Sequence, residues 1–211
     1  SGVRSVFLLY GYALCEMRGT ERVVRNAWIA WADESERTNE VKTMMLMGLG
    51  HDVVDVGAFA EQLTEPGTRM RGLFSARELH QSAQRARAKS DGESVHLAAR
   101  WAGKEAVMKA WCEAITQLPH DLRNAGAGEE DSVAGAYPYT LDDFPWREVE
   151  ILDDSKGCPR VAPSAGVLRA MRRSLGLAGG EGDGSPEPVF HVSLSHDGPV
   201  ASAVVILRVD G

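Results

Sequence analysis

The stretch from His96 to Trp111 (HLAARWAGKEAVMKAW) constrains this chain most. It has no proline and a single glycine, and it is rich in alanine and other strong helix formers, so it is predicted to be a helix. Leu97, Trp101, Met108 and Trp111 recur at three-, four- and seven-residue steps and predict a buried stripe. Arg100, Lys104, Glu105 and Lys109 run beside that stripe. Arg100 and Lys104 are four apart, as are Glu105 and Lys109, so each pair shares a helix face. One carboxylate among three cations suits a site for phosphate and metal, the carboxylate holding the cation and the basic groups meeting phosphate oxygens. A solvated face with a routine Glu–Lys pair has the same spacing, and the helix alone does not separate the two.

At 211 residues the chain suits one domain, or one domain with an appendage. Its net charge of −7 argues against general nucleic-acid binding, which needs clustered Lys and Arg. Cys15, Cys112 and Cys158 are odd in number and far apart, with no CxxC pair. Neither a disulfide framework nor a zinc site follows from them, and a reducing cytoplasm fits. The apolar run Val6–Cys15 is about half the length of a membrane span. Arg4 precedes it as in a signal peptide, but no small-x-small cleavage site follows. Residues 1–43 are therefore read as an extension of unknown role, with Met44, Met45 and Met47 each a candidate start, and 44–211 as the functional domain.

Met45–Val56 (MLMGLGHDVVDV) predicts a buried strand, apolar and interrupted by two glycines. Asp52 inside it is costly to bury unless it binds a cation or is fully hydrogen-bonded; a strand-end cap is the alternative. Ala58–Leu63 suggests a short helix. Ser75 with Glu78 three residues on is a capping box, so a second helix should start there. From Arg69 to Lys89 six basic residues face one Glu, a local reversal suited to an acidic partner or to a solvated face. After the 96–111 helix, Asn124–Ala136 reads as a Gly- and acid-rich loop. Arg147–Leu152 and Arg160–Ala162 read as strands around the turn Asp154–Pro159, Ser164 as the cap of a helix to Leu175, and Gly176–Pro188 as a flexible connection. Val189–His196 alternates, placing His191, Ser193 and Ser195 on one face and Val192, Leu194 and His196 on the other. Asp197-Gly198 signals a hairpin returning through Ala201–Val209. The order predicts an α+β domain with a mainly antiparallel β-sheet packed against a long helix.

Four separated stretches resemble one family. Gly48-Leu49-Gly50-His51-Asp52 is similar to the opening GxGxD strand of the holo-acyl-carrier-protein synthases, which are 4′-phosphopantetheinyl transferases. Arg100–Ala106 with Lys109 resembles their RFAxKEAxxKA helix, His191–His196 their closing HVSxTH strand, and Gly157–Pro159 their GKP turn. The motifs keep the family's order over about 45–209, and the wording looks most like actinobacterial members.

The resemblance implies transfer of the 4′-phosphopantetheine arm of coenzyme A to a serine of apo-acyl carrier protein. It makes Asp52 and Glu105 the Mg²⁺ ligands, Glu105 the general base (directly or through a water) and Lys109 a stabiliser of phosphate charge. It places Arg100, Ser195 and His196 at the 3′-phosphate or adenosine end, Gly157 and Pro159 beside adenine, and Trp101 beside the cofactor or core. It also implies a homotrimer with coenzyme A between subunits, in the cytoplasm and without membrane or nucleic acid. Lys104 is left as a charged neighbour. Three departures stand out: Ala58 where many members carry an Arg that contacts the carrier, Cys158 in place of the GKP lysine, and the 1–43 extension with a longer 112–145 segment. A non-catalytic module that keeps the fold is the competing reading, as is a domain serving a multifunctional fatty-acid synthase.

Overall fold

The computed structural model describes residues 46–118, 137–177 and 186–209. The expected extension over 1–43, the loop over 124–136 and the 178–185 part of the last connection lie outside the described residues. Strand β1 (Leu46–Asp55) leads directly into helix α1 (Val56–Thr64), capped by the Asp55 carboxylate, which accepts from the Ala58 N–H. A 3₁₀ turn (Met70–Leu73) precedes α2 (Ala76–Lys89) and the long helix α3 (Glu93–Thr116). After a second 3₁₀ turn (Trp146–Glu148) come β2 (Val149–Asp153), β3 (Pro159–Pro163), α4 (Ala165–Ser174), β4 (Pro188–Asp197) and β5 (Val200–Val209).

All strand pairing is antiparallel. One sheet has the order β1-β5-β4 and a smaller one pairs β2 with β3. The predicted α+β class stands. The capping box at Ser75 and Glu78 is formed in both directions, and Ser164 caps α4 through the Val167 N–H. The Asp197-Gly198 hairpin is also as expected, with Gly198 at φ +54°.

Two expectations change. The charged stripe of helix α3 divides: Arg100 and Lys104 are buried together with Leu97, Ala102, Ala106 and Trp111, while Lys109 is exposed. The helix runs between the three-stranded sheet on one side and β2 on the other. Small residues permit this; a Cβ on Gly103 would stand 3.1 Å from Ile151 of β2 and 3.3 Å from Leu194 of β4. Strand β1, expected to be buried, is buried on one face alone. Met47, Leu49 and Val53 are 46%, 55% and 55% exposed and form an apolar outer surface with Val200 and Val204.

The inner face of β1 lies unusually close to α3. A Cβ on Gly48 would sit 1.9 Å from the Ala110 carbonyl oxygen, and one on Gly50 1.8 Å from that of Ala106. No side chain fits there, so both positions require glycine. With a side-chain period of two, Asp52 is the next residue on that face. The glycine contact therefore delivers its carboxylate to α3.

Candidate active site

Asp52, Glu105 and Lys109 meet where β1 crosses α3. Lys109 Nζ donates to Asp52 Oδ1 at 2.7 Å and to the His51 carbonyl at 3.2 Å. Asp52 is 8% exposed, and its Oδ2 is buried with no hydrogen-bond partner. Glu105 is half-buried beside Asp52. Burial, and then the neighbouring Asp52, push its carboxyl up to about 7, against a lowering pull from Lys109. A buried carboxylate oxygen with no donor is costly, and two carboxylates this close repel. Both costs fall when a hard cation shares their oxygens, and an all-oxygen donor set of this kind fits a divalent ion such as Mg²⁺. Lys109, its side chain about half exposed, adds a positive charge at the rim.

The other expected site residues are distributed differently. Arg100 is 3% exposed and points into the fold, where its guanidinium donates to Asp153 Oδ2 at 2.9 Å and to the His96 carbonyl at 3.3 Å. Burial lowers its pKa while Asp153 supports the charge. Trp101 is held in an aromatic cluster, 4.7 Å from Trp146 and 6.2 Å from Phe74 between ring centroids. Gly157, at φ +83°, makes the β2–β3 turn, and Arg85 donates to its carbonyl at 2.8 Å. Pro159 opens β3. The predicted alternation of β4 is observed, so Ser195 faces outward and His196 inward. The His196 ring meets His96 edge-on at 5.5 Å, and burial lowers its pKa.

Lys104 is the clearest correction. Rather than a charged neighbour, it is fully buried, donating to the carbonyls of Trp146 at 2.6 Å and Val149 at 2.7 Å and pairing with Glu78 at 3.0 Å. Glu78 is equally buried and accepts from Ser75 N–H at 2.8 Å and Ile151 N–H at 2.9 Å. The capping box was visible in sequence; its second use, as the counter-ion that joins α2, α3 and β2, was not. Sequence reading also missed Asp153, which gathers Arg85 and Arg100. The basic segment 69–89 is partly spent inside the chain: Arg71 pairs with Glu93, Arg77 with Glu150 and Arg85 with Asp153. Arg69, Arg87 and Lys89 make no ion pair among the described residues.

Comparison with known proteins agrees with this layout. Residues 48–149 match the model of the 4′-phosphopantetheinyl transferase superfamily, a span that holds Asp52, Glu105 and Lys109. A holo-[acyl-carrier-protein] synthase of Bifidobacterium adolescentis is 58% identical over 169 residues, covering 78% of this chain and all of that protein. The chain belongs to the holo-[acyl-carrier-protein] synthase family. The synthase of Mycobacterium leprae is 32% identical over 79% of this chain and 99% of its own length, so the actinobacterial likeness holds. Among solved structures, the Chronobacterium ammoniagenes ACPS–CoA complex superposes with a TM-score of 0.58 at 29% identity, over 77% of this chain and 97% of that chain. The apo form from the same organism gives 0.57 at 30%, over 78% and 97%. Among the described residues no helix is long and apolar enough to cross a membrane.

Proposed function

We propose that this chain transfers the 4′-phosphopantetheine group of coenzyme A to a serine of apo-acyl carrier protein, a step of fatty-acid biosynthesis in the cytoplasm. The observation that carries this reading is the Asp52–Lys109–Glu105 cluster, built by a glycine-mediated strand–helix contact in a family named for the activity. The serine oxygen bonds to the β-phosphorus of coenzyme A, the bond from that phosphorus to the bridging oxygen breaks, and adenosine 3′,5′-bisphosphate leaves. The nucleophile belongs to the carrier, so the enzyme needs to position, neutralise charge and take one proton.

Each role has a candidate in the chain. Glu105, half-buried beside Asp52, is the candidate to accept the serine proton, directly or through a water. Lys109, oriented by Asp52 and the His51 carbonyl, offers its remaining N–H to the pyrophosphate. Asp52 and Glu105 would hold Mg²⁺, which when bound offsets phosphate charge. The apolar outer face of β1 and β5 supports a homotrimer, since a strip of this kind is usually covered by another chain. A site shared between subunits also suits Ser195, which faces outward, while His196 faces α3 in its own chain. Arg77, His80 and Arg160 line a groove of about 380 Å³ on the α2 side, which with Arg69, Arg87 and Lys89 is the proposed docking surface for the acidic carrier.

The test is to mix the full chain with coenzyme A, Mg²⁺ and an apo-acyl carrier protein and to weigh the carrier. A mass gain of one phosphopantetheine is expected, lost in Asp52→Asn. Coenzyme A binding without any mass gain on the carrier would favour a non-catalytic module instead.

A further inference from the structure

A second cluster of metal-type ligands lies away from the Asp52–Glu105 pair. Helix α2 ends at Ser90, a left-handed C-cap with φ 56° and ψ 40°, and the chain turns through Asp91 into Gly92, the N-cap of α3. His96 stands in the opening turns of α3, 5% exposed, with Nε2 at 2.8 Å from Asp91 Oδ1. His196, the penultimate residue of β4, faces the same point from across the fold. One ligand atom from each of these three side chains lies within 4.8 Å of the others. His96 is nine residues from Glu105, or about 13 Å of helix rise, so the two clusters are separate.

We propose that Asp91, His96 and His196 form a zinc-binding site. Two imidazoles and a carboxylate are a borderline-soft N,N,O set, which takes Zn²⁺ in preference to Mg²⁺ or Ca²⁺. The geometry needs little adjustment. A triangle of side 4.8 Å or less has its corners within about 2.8 Å of the centre, and zinc sits roughly 2.0–2.2 Å from N and O ligands. An inward movement of under about 1 Å per ligand closes that gap. Asp91 is at an exposed corner and His196 next to a hairpin turn, so both have room to make it. Outside the cluster the charged neighbours of His196 are Lys89 and Asp197, and within it Asp91 supplies the negative charge. Three protein ligands leave a fourth position for water or a ligand oxygen. The ion would staple the α2–α3 corner to the β4–β5 hairpin.

The experiment is a Zn²⁺ titration of the full chain against a chromophoric chelator at pH 7.5, with Co²⁺ substitution for spectroscopy. One site per chain is expected, weakened at least tenfold in Asp91→Asn and in His96→Gln and unchanged in Asp52→Asn. Co²⁺ should give the intense visible bands of a four-coordinate site containing nitrogen. Thermal melts show whether His96→Gln still folds; Asp91→Asn, at an exposed position, decides the matter if it does not. Equal zinc affinity in wild type and Asp91→Asn, or a weak all-oxygen Co²⁺ spectrum, overturns the assignment.

Discussion

Replacing Glu105 with glutamine should make the metal-free protein more stable while abolishing transfer. Folding moves the Glu105 carboxyl from 4.5 to about 7, first through burial and then through the adjacent Asp52. The difference is worth at most about 3.4 kcal/mol. Glu105 is only half-buried, so solvent screening reduces the figure to about 1–2 kcal/mol. The native state holds this proton more tightly than the unfolded chain. The stabilisation is therefore complete below pH 4.5 and disappears as pH rises through about 7. Glutamine never ionises and does not incur this loss. In EDTA at pH 8, Glu105→Gln should melt roughly 2–8 °C above wild type. Near pH 4.5 the difference should vanish. Adding Mg²⁺ at pH 8 should raise the wild-type midpoint and leave the variant almost unmoved. A variant that melts lower than wild type at pH 8, or by an offset independent of pH, would refute the claim that Glu105 is held against electrostatic cost for function.

The buried pair gives a contrasting expectation: Glu78→Ala strands the Lys104 ammonium and should cost about 3–5 kcal/mol in urea unfolding, whereas Lys104→Met with Glu78→Gln together should recover much of it. Gly50→Ala places a Cβ against the Ala106 carbonyl, so β1 must lift off α3; a loss of about 1–3 kcal/mol in thermal unfolding is expected, with a larger drop in kcat than Ala substitution at exposed Gly72 produces. Leu49→Glu with Val53→Glu puts charge on the outer sheet face and should convert the proposed homotrimer to monomers by light scattering; an unchanged mass would move the proposed interface elsewhere. Reversing Arg87 and Lys89 to Glu should raise the carrier KM several-fold and flatten its salt dependence, and an unchanged KM would place docking on another surface.

The order of elements was legible in the sequence because each carries a local signal. Ser75 with Glu78 caps α2 whatever the helix packs against, and Asp197-Gly198 turns the β4–β5 hairpin unaided. The alternation of β4 likewise gave its two faces before any partner was known. Residue types at the site were visible too, since Asp52, Glu105 and Lys109 stand in a family motif.

Tertiary structure decided where the charges on α3 point. Spacing gives Arg100–Lys104 and Glu105–Lys109 the same four-residue step. Yet the first pair is sunk against Asp153 and Glu78, and the second opens beside Asp52. Nothing local separates them, because the partners lie 26 to 57 residues away along the chain. The same holds for Gly48 and Gly50, whose lack of side chains gains its meaning only when the Ala106 and Ala110 carbonyls occupy the space. The sequence by itself determined the helices, the strands and which residues were available for chemistry. Close packing of β1 on α3 determined which of them form a site, since a buried ion is tolerated only where the fold brings it a counter-charge.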